Sequence, residues 1–370
     1  MKTRPRVSLE IHLQALRRNV RKLKDHVSPL KLMGVLKANA YGLGVRPIAE
    51  TLKEEGTHFF GVAEPKEAYE IHDLGVPILI LGSILPEEIP EAVKAGLILP
   101  ISDLETAKTI DQEAKKQGVF AKGHLLVDTG MGRLGVPVKE ANGVLKALMR
   151  LENLNFTGIY SHFPTAYADR EFSEHQISML LKIADFAKAH PDSKIEEIHI
   201  CNSDGIHNVP PAFAPPFTMV RTGINLYGCF DLEGRRTLDL EPVIQMKSRL
   251  VAVRELDEGA TVGYGRNFVL NRKMTVGTVA MGYADGLPLR FSDQGHLRVR
   301  NKKCPIIGRT SMDYTTVDLT GVEDAKVGDE VTCLGEDLVV SDWALAKGTI
   351  PYEVICAIGN RVERVVVDKA

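Results

Sequence analysis

The sequence has few of the features that mark secreted, metal-binding or nucleic-acid-binding proteins. Its 370 residues include five scattered cysteines, an odd number with no C-x-x-C pair, so neither a disulfide framework nor a metal site is predicted. The net charge of -2 gives no broad attraction to nucleic acid or anionic membrane. No apolar run approaches a membrane span, and no signal-peptide core follows the basic first residues. We therefore expect a cytoplasmic protein that binds neither nucleic acid nor membrane.

Up to about residue 230, apolar runs alternate with stretches of helical period. The runs are apolar throughout, as strands buried on both faces of a parallel sheet are. They cover residues 31–36, 59–63, 77–81, 97–101, 123–127, 156–160, 195–200 and 217–220. The helical patterns cover residues 9–27, 46–55, 66–74, 104–117, 139–150 and 173–190. About eight strand-then-helix units match a (β/α)8 barrel; a doubly wound open sheet, the alternative, usually has fewer strands.

After Gly234 the sequence becomes rich in short strands separated by turns. The strand-like segments are 243–253, 275–281, 297–299, 315–319, 330–334 and 362–367, and one helix-like stretch lies near 341–347. We predict an α/β fold, with a (β/α)8 TIM-type barrel over residues 1–234 and a smaller, mostly-β C-terminal domain over residues 235–370. The strand-like segment 6–11 fits either domain.

Lys37 stands at the end of the first apolar run, in the segment VLKANAYG. A lysine at the end of a buried strand is costly as a cation, and desolvation lowers its pKa. A neutral amine is a nucleophile, commonly used to form a Schiff base with a carbonyl. Lys37 is therefore a candidate for covalent attachment of an aldehyde.

Polar side chains also follow the later strands, where a barrel enzyme carries its active site. They are Asp128 and Arg133 after strand five, Ser161 and His162 after strand six, Asn202 and Ser203 after strand seven, and Arg221 after strand eight. Ser203 opens a helix-like segment, which suits a phosphate, and Gly223 permits close approach of the backbone to a ligand. Together these positions indicate anion binding combined with amine catalysis.

Two motifs have competing interpretations. Residues 130–135 satisfy G-x-G-x-x-G, typical of dinucleotide binding, but they lie in the fifth strand–helix unit and contain Arg133. A tight glycine turn is the favoured interpretation. Tyr264, between two glycines, is either a packed turn residue or a phenol that moves a proton.

Residues 35–42, 128–133, 221–224, 263–266, 282–286 and 352–353 resemble, in order and spacing over nearly the whole chain, the alanine racemase family of fold-type III pyridoxal-phosphate enzymes. The resemblance implies interconversion of L-alanine and D-alanine for peptidoglycan synthesis, with pyridoxal 5'-phosphate as cofactor and a homodimer with composite active sites. It implies that Lys37 carries the cofactor and is one base, and that Tyr264 of the other subunit is the opposite-face base. The implied cofactor-binding residues are Lys37, Tyr41, Arg133, His162, Ser203, Arg221, Gly223, Ile224 and Tyr352; Arg133 and Met312 bind the substrate carboxylate, and Tyr283 lines the entrance.

The chain departs from the resemblance at Leu126. Many family members carry a lysine there, often carbamylated, which orients the arginine that follows. Other groups must orient Arg133 here. A broader-specificity amino-acid racemase, a decarboxylase of the same fold type and a non-catalytic pyridoxal-phosphate-binding protein remain alternatives; the context of Tyr264 argues against the second, and residues 235–370 argue against the third.

Overall fold

A computed structural model describes residues 4–191, 193–292, 294–335 and 337–368. The chain forms two compact units. The barrel unit is Leu16–Leu240, and the β unit combines Met1–Ala15 with Glu241–Ala370. The first strand, β1 (Ser8–His12), belongs to the β unit. Within the described part of the chain, every helix is too short or too polar to span a bilayer.

Parallel strands form the centre of the barrel unit, because their residues are apolar on both faces. They are β2 (Lys31–Val35), β3 (Phe59–Val62), β4 (Ile78–Ile80), β5 (Ile98–Ile101), β6 (Ala121–Asp128), β7 (Val136–Pro137), β8 (Leu154–Tyr160), β9 (Glu197–His199) and β10 (Met219–Thr222). Their order is β10-β2-β3-β4-β5-β6-β8-β9, and β7 pairs only with β6. Backbone hydrogen bonds from Thr218 N to Ile198 O and from Arg221 N to Cys201 O, both 3.0 Å, link the two ends. The predicted eight-stranded barrel is confirmed.

Helices follow the barrel strands in the first 240 residues. They are α1 (Leu13–Val27), α2 (Lys37–Gly42), α3 (Val45–Glu54), α4 (Pro65–Tyr69), α5 (Ile89–Lys94), α6 (Leu104–Gln117), α7 (Val138–Leu148), α8 (Arg170–Lys188) and α9 (Ser203–Asn208). Helix α6 shows why they begin and end where they do. The Asp103 side chain accepts the Thr106 N–H at its start, and Gly118 takes a left-handed conformation at its end, as a capped helix requires.

The predicted helix over residues 9–27 is wrong at its start, since residues 9–12 belong to β1. Burial alternates along β1, which is the two-residue period of a strand with one buried face. The helix begins only at Leu13.

Apolar side chains from several strands fill part of the barrel interior. Met33, Leu79, Ile98 and Met219 are buried together, with Phe59 and Leu81 packed against them. Complete burial of such a side chain stabilises the fold by about 1.5–3 kcal/mol. This packing holds the strand ends that carry the polar residues described below.

The β unit is mostly strand, as predicted for the C-terminal region. Its strands after β1 are β11 (Ile244–Leu256), β12 (Thr261–Val262), β13 (Phe268–Val269), β14 (Met274–Val279), β15 (His296–Val299), β16 (Lys302–Pro305), β17 (Thr315–Asp318), β18 (Glu330–Leu334) and β19 (Glu363–Val367). Two helices, α10 (Val340–Lys347) and α11 (Pro351–Cys356), follow β18. Strand β1 lies between β11, with which it is antiparallel, and β19, with which it is parallel.

Candidate active site

The segment that begins at Lys37, labelled α2, is a left-handed turn. Four consecutive residues, Ala38 to Tyr41, have φ of 53–60° and ψ of 32–51°. None is glycine, and each L-residue in this conformation costs roughly 1–2 kcal/mol. Such strain persists only where the surroundings over-determine the conformation, and it concentrates at functional sites.

Hydrogen bonds within the segment hold its second half. Ala40 N donates to Leu36 O at 2.8 Å, and Gly44 N donates to Asn39 O at 3.1 Å. The Asn39 side chain adds a further bond, because its Oδ1 accepts the Val45 N–H at 2.7 Å. Asparagine tolerates the left-handed region better than most residues do.

The turn places Tyr41 against Gly223, the residue that directly follows the last barrel strand, β10. Tyr41 is buried, and a Cβ added to Gly223 would lie 2.0 Å from the Tyr41 Oη. The Gly223 N–H donates to the Ser203 Oγ at 3.0 Å. Next to them, the Thr222 Oγ1 is buried with no hydrogen-bond partner among the described residues. The Tyr41 phenol, the Ser203 hydroxyl and the Gly223 backbone thus meet at the start of α9, and their donors fit a phosphate group.

Three cations act on one imidazole at this end of the barrel. Burial, together with the charges of Arg221, Arg133 and Lys37, lowers the pKa of His162 to about 3. These predicted site residues are therefore close enough to interact electrostatically. Their combined positive charge attracts an anionic ligand.

Lys37 itself is exposed. The expected desolvation of Lys37 is wrong for this chain, because the preceding Leu36 is buried while Lys37 leaves the core. The distinguishing feature of Lys37 is its place at the entrance to a left-handed turn, beside other cations.

Arg221 is buried among neutral acceptors. Its Nη1 donates to the His199 Nδ1 at 2.7 Å, and its Nη2 bonds to the Ser161 O at 2.8 Å, the His162 Nδ1 at 3.1 Å and the Ile200 O at 3.1 Å. Burial lowers the pKa of Arg221 to about 10, so the guanidinium stays protonated at neutral pH. The bonds fix its plane and leave its charge uncompensated by a carboxylate.

A second imidazole extends this arrangement. Arginine has only donors, so the His199 Nδ1 must accept, and the neutral ring must carry its proton on Nε2. That nitrogen lies 3.3 Å from the His124 Nδ1, which then accepts. Burial lowers the pKa of His124 to about 3 and that of His199 well below its usual value. The Tyr160 ring stacks on His199 with centroids 5.0 Å apart. Sequence reasoning missed both histidines, although each is a polar residue inside an apolar strand.

The loop that carries Arg133 is shaped by its own backbone. The Asp128 Oδ1 accepts the N–H groups of Gly130 and Gly132, both at 3.0 Å. Gly130 and Gly132 have positive φ, so the glycines serve this turn. Strand β7, rather than a helix, follows the loop, which does not match a dinucleotide-binding motif.

Leu126 lies beneath the end of the same loop. A Cβ added to Gly135 would lie 2.9 Å from the Leu126 Cγ, so the two residues are in close contact. Arg133 is exposed. An apolar contact at Gly135 and the Asp128 bonds therefore hold the loop at the place where many members of the resembled family carry a lysine.

In the β unit, Tyr264 lies in the loop of the β12–β13 hairpin. Its side chain is 71% exposed. Gly263 has φ of 81°, and a Cβ there would lie 2.5 Å from the Arg309 N. Only glycine fits this position, which presents the phenol outward.

Arg361 joins two further loops of the β unit. It makes two bonds to the buried Asp285, at 2.7 and 3.0 Å, and one to Asp313 at 2.6 Å. The Met312 O accepts the Ala284 N–H at 3.1 Å. The loops so fixed carry Tyr283, 45% exposed, and Met312, 53% exposed. Sequence reasoning missed Arg361, since nothing near it in sequence shows that its partner lies 76 residues away.

The structure places the two remaining predicted residues in different units. Ile224 is buried at the start of a single 3-10 turn after β10, beside Gly223. Tyr352 is half-buried in the first turn of α11, a helix that the sequence did not predict.

Nearly the whole chain matches one protein family. The family model described as alanine racemase, N-terminal domain, matches residues 11–231, and that described as alanine racemase, C-terminal domain, matches residues 243–366. A curated alanine racemase from Halothermothrix orenii is 39% identical over 368 residues, covering 96% of this chain and 95% of that protein.

Solved structures give the same similarity. An alanine racemase from Clostridium difficile 630 superposes with a TM-score of 0.91 at 31% identity, covering 100% of this chain and 97% of that one. An alanine racemase from Bartonella henselae, described with covalently bound pyridoxal phosphate, superposes with a TM-score of 0.86 at 28% identity, covering 98% of this chain and 100% of that one.

Proposed function

Because the chain belongs to the alanine racemase family, we propose that it interconverts L-alanine and D-alanine and supplies D-alanine for peptidoglycan synthesis. The observation that carries the proposal is the convergence of Lys37, Arg133 and Arg221 around His162 at the carboxyl end of the barrel. A racemase needs a base, an anchor for a carboxylate and a device that acidifies the Cα–H bond. We propose that Lys37 is the base, that Arg133 anchors the carboxylate and that a bound cofactor acidifies the Cα–H bond.

We propose that the barrel unit binds pyridoxal 5'-phosphate. When bound, this cofactor withdraws electrons from the bonds of the substrate Cα and so acidifies its proton. Lys37 attaches the aldehyde, and Tyr41, Ser203, Gly223 and Ile224 hold the phosphate. The close approach of Tyr41 to Gly223, the Gly223–Ser203 bond and the buried Thr222 hydroxyl support the phosphate assignment.

Arg221 donates to the pyridine nitrogen in this proposal, and His162 supports it. Its fixed plane and retained proton suit a permanent donor, since arginine does not lose its proton in proteins. When the cofactor is bound, Arg221 would keep that nitrogen unprotonated. That weakens electron withdrawal by the ring and disfavours side reactions such as transamination.

Lys37 and Tyr264 are the proposed bases. Racemisation removes a proton from one face of Cα and returns one to the other, so two bases on opposite faces avoid turning the substrate. Tyr264 acts from the second subunit of a homodimer in this scheme, and its 71% exposure within one chain supports a role toward another chain. Arg133 and the Met312 N–H hold the substrate carboxylate, and Tyr283 lines the entrance. The enzyme works in the cytoplasm.

A chiral assay of the purified chain against a panel of L-amino acids tests the function. We expect conversion of L-alanine to D-alanine, abolished in Lys37→Ala together with the visible absorbance of the bound cofactor. Equal turnover of alanine and larger substrates would favour the alternative of a broader-specificity racemase. Cofactor binding without turnover of any amino acid would favour a pyridoxal-phosphate-binding protein.

Tyr264→Phe separates the two bases. We expect loss of Cα proton exchange from one alanine enantiomer in deuterated water, with exchange from the other less affected, because Lys37 still serves one face. Equal and mild losses for both enantiomers would contradict the two-base scheme.

A further inference from the structure

Glu67 connects the turn after β2 to the end of the neighbouring strand β3. It lies on α4 and is half-buried. Its Oε1 accepts the Ala38 N–H at 2.5 Å, and its Oε2 accepts the Ala63 N–H at 2.7 Å. Ala38 directly follows Lys37, and Ala63 directly follows β3. One carboxylate therefore bridges the carboxyl ends of two adjacent barrel strands.

The bridged peptide is the first of the left-handed turn. The backbone changes hand at Ala38, where φ becomes 54°, and an L-residue left to itself returns to negative φ. The second half of the turn is held by its own Asn39 and Ala40. The first residue of the turn, Ala38, is held by a side chain from another element, Glu67 of α4. A carboxylate that accepts backbone N–H groups forms a strong, charge-assisted hydrogen bond.

We propose that Glu67 is a positioning residue for Lys37. By holding the Ala38 N–H, it fixes the peptide that follows Lys37 and thereby the direction in which the Lys37 side chain leaves the backbone. Glu67 itself touches neither cofactor nor substrate in this role. The identity of the ligand at Lys37 rests on the proposed function, whereas the two hydrogen bonds of Glu67 do not.

Three variants of the full chain test the proposal. Glu67→Ala removes both acceptors. Glu67→Gln keeps the shape and one acceptor oxygen, and it remains informative if the alanine variant fails to fold. The matched control is Glu64→Ala, which removes a carboxylate from the exposed residue that precedes α4 and makes no side-chain cap bond.

The Glu67 bridge is tested directly by hydrogen exchange of the cofactor-free proteins. Exchange is measured by mass spectrometry on peptides that cover residues 37–43. We expect exchange in this segment to be about 10- to 100-fold faster in Glu67→Ala, the range for losing one hydrogen bond to a charged group. Glu67→Gln should be intermediate, and Glu64→Ala should match the unsubstituted chain. Unchanged exchange in both Glu67 variants would overturn the bridge.

Titration with pyridoxal 5'-phosphate, followed by visible absorbance, reads the positioning. We expect about 10- to 100-fold weaker apparent binding in Glu67→Ala, partial recovery in Glu67→Gln and no change in Glu64→Ala. Faster exchange with unchanged cofactor binding would overturn the role toward Lys37. Failure of the unsubstituted chain to bind the cofactor would overturn the proposed function instead, and the exchange data alone would then decide whether Glu67 holds the turn.

Discussion

At the scale of single residues, the site is built on a buried cation with neutral partners. Burying an uncompensated charge is costly unless hydrogen bonds satisfy it. Arg221 has carbonyls and imidazoles as acceptors. Because no carboxylate in these contacts cancels its charge, Arg221 adds to the positive potential of Lys37 and Arg133. A dianionic phosphate and a carboxylate substrate would both gain from that potential.

The buried histidines predict a loss of stability in acid. Burial lowers the pKa of His124 to about 3, whereas an unfolded histidine titrates near 6.5. Below about pH 6.5 the unfolded state binds a proton that the native ring does not, so stability is present above that pH and falls as pH decreases toward 3. Between the two pKa values, each such group lowers the free energy of unfolding by about 1.4 kcal/mol for every pH unit of acidification.

Urea unfolding at several pH values between 7 and 4 measures this dependence. We expect His124→Asn, which keeps a hydrogen-bond acceptor for His199, to flatten the slope by about 1.4 kcal/mol per pH unit. The surface variant His72→Asn serves as control, since His72 is exposed. A slope unchanged in His124→Asn would show that the native ring binds its proton over the same pH range as the unfolded one, which would contradict the lowered pKa.

The sequence indicates single site residues best where the topology brings strand ends together. Lys37, Arg133, His162 and Arg221 all follow apolar runs, and the barrel gathers such positions at one end. Glu67 could not be found in this way, because its role depends on the hand of a turn encoded elsewhere.

At the scale of elements, the left-handed turn is the costly feature. Glycine adopts positive φ at no steric penalty, so Ala38→Gly should be neutral or stabilise the protein by up to about 1 kcal/mol. The same change at Ala147, within the right-handed helix α7, should destabilise it by about 1 kcal/mol. Thermal unfolding of both variants checks the contrast in sign. Equal destabilisation would mean that the turn is not strained at Ala38.

The elements that the sequence predicts correctly are those with buried apolar faces. Strands with two buried faces have an unmistakable apolar composition, and all eight predicted barrel strands are present. The β12–β13 hairpin has only two residues per strand and leaves too short a pattern to detect. The left-handed conformation of α2 likewise could not be predicted from the sequence, since the segment Ala-Asn-Ala-Tyr contains no glycine to indicate positive φ.

At the scale of the whole molecule, the proposed composite site makes a prediction about mixed dimers. Lys37→Ala and Tyr264→Phe should each be inactive or nearly so alone. In a heterodimer of the two, one site combines both defects, and the other combines the intact Lys37 of one chain with the intact Tyr264 of its partner. Each heterodimer therefore has one intact site of two, so the purified heterodimer should recover about half of the unsubstituted activity per dimer.

The heterodimer is prepared by co-expression of the two variants with different affinity tags, and it is assayed after tandem purification. The control is the same procedure with Lys37→Ala on both chains, which should remain inactive. No recovery in a purified heterodimer would show that Lys37 and Tyr264 act from the same chain.

The position of β1 between β11 and β19 has a consequence for how the chain is made. Strand β1 precedes the barrel unit in the chain, whereas both of its neighbours, β11 and β19, follow the barrel unit and are synthesised after it. The barrel sequence is complete while β1 still lacks both neighbours. A prematurely terminated chain that stops before Glu363 would therefore keep one side of β1 open, and an open strand edge is a template for aggregation. Synthesis of β19 is thus the event that covers this side of β1 and removes a template for self-association of the nascent protein.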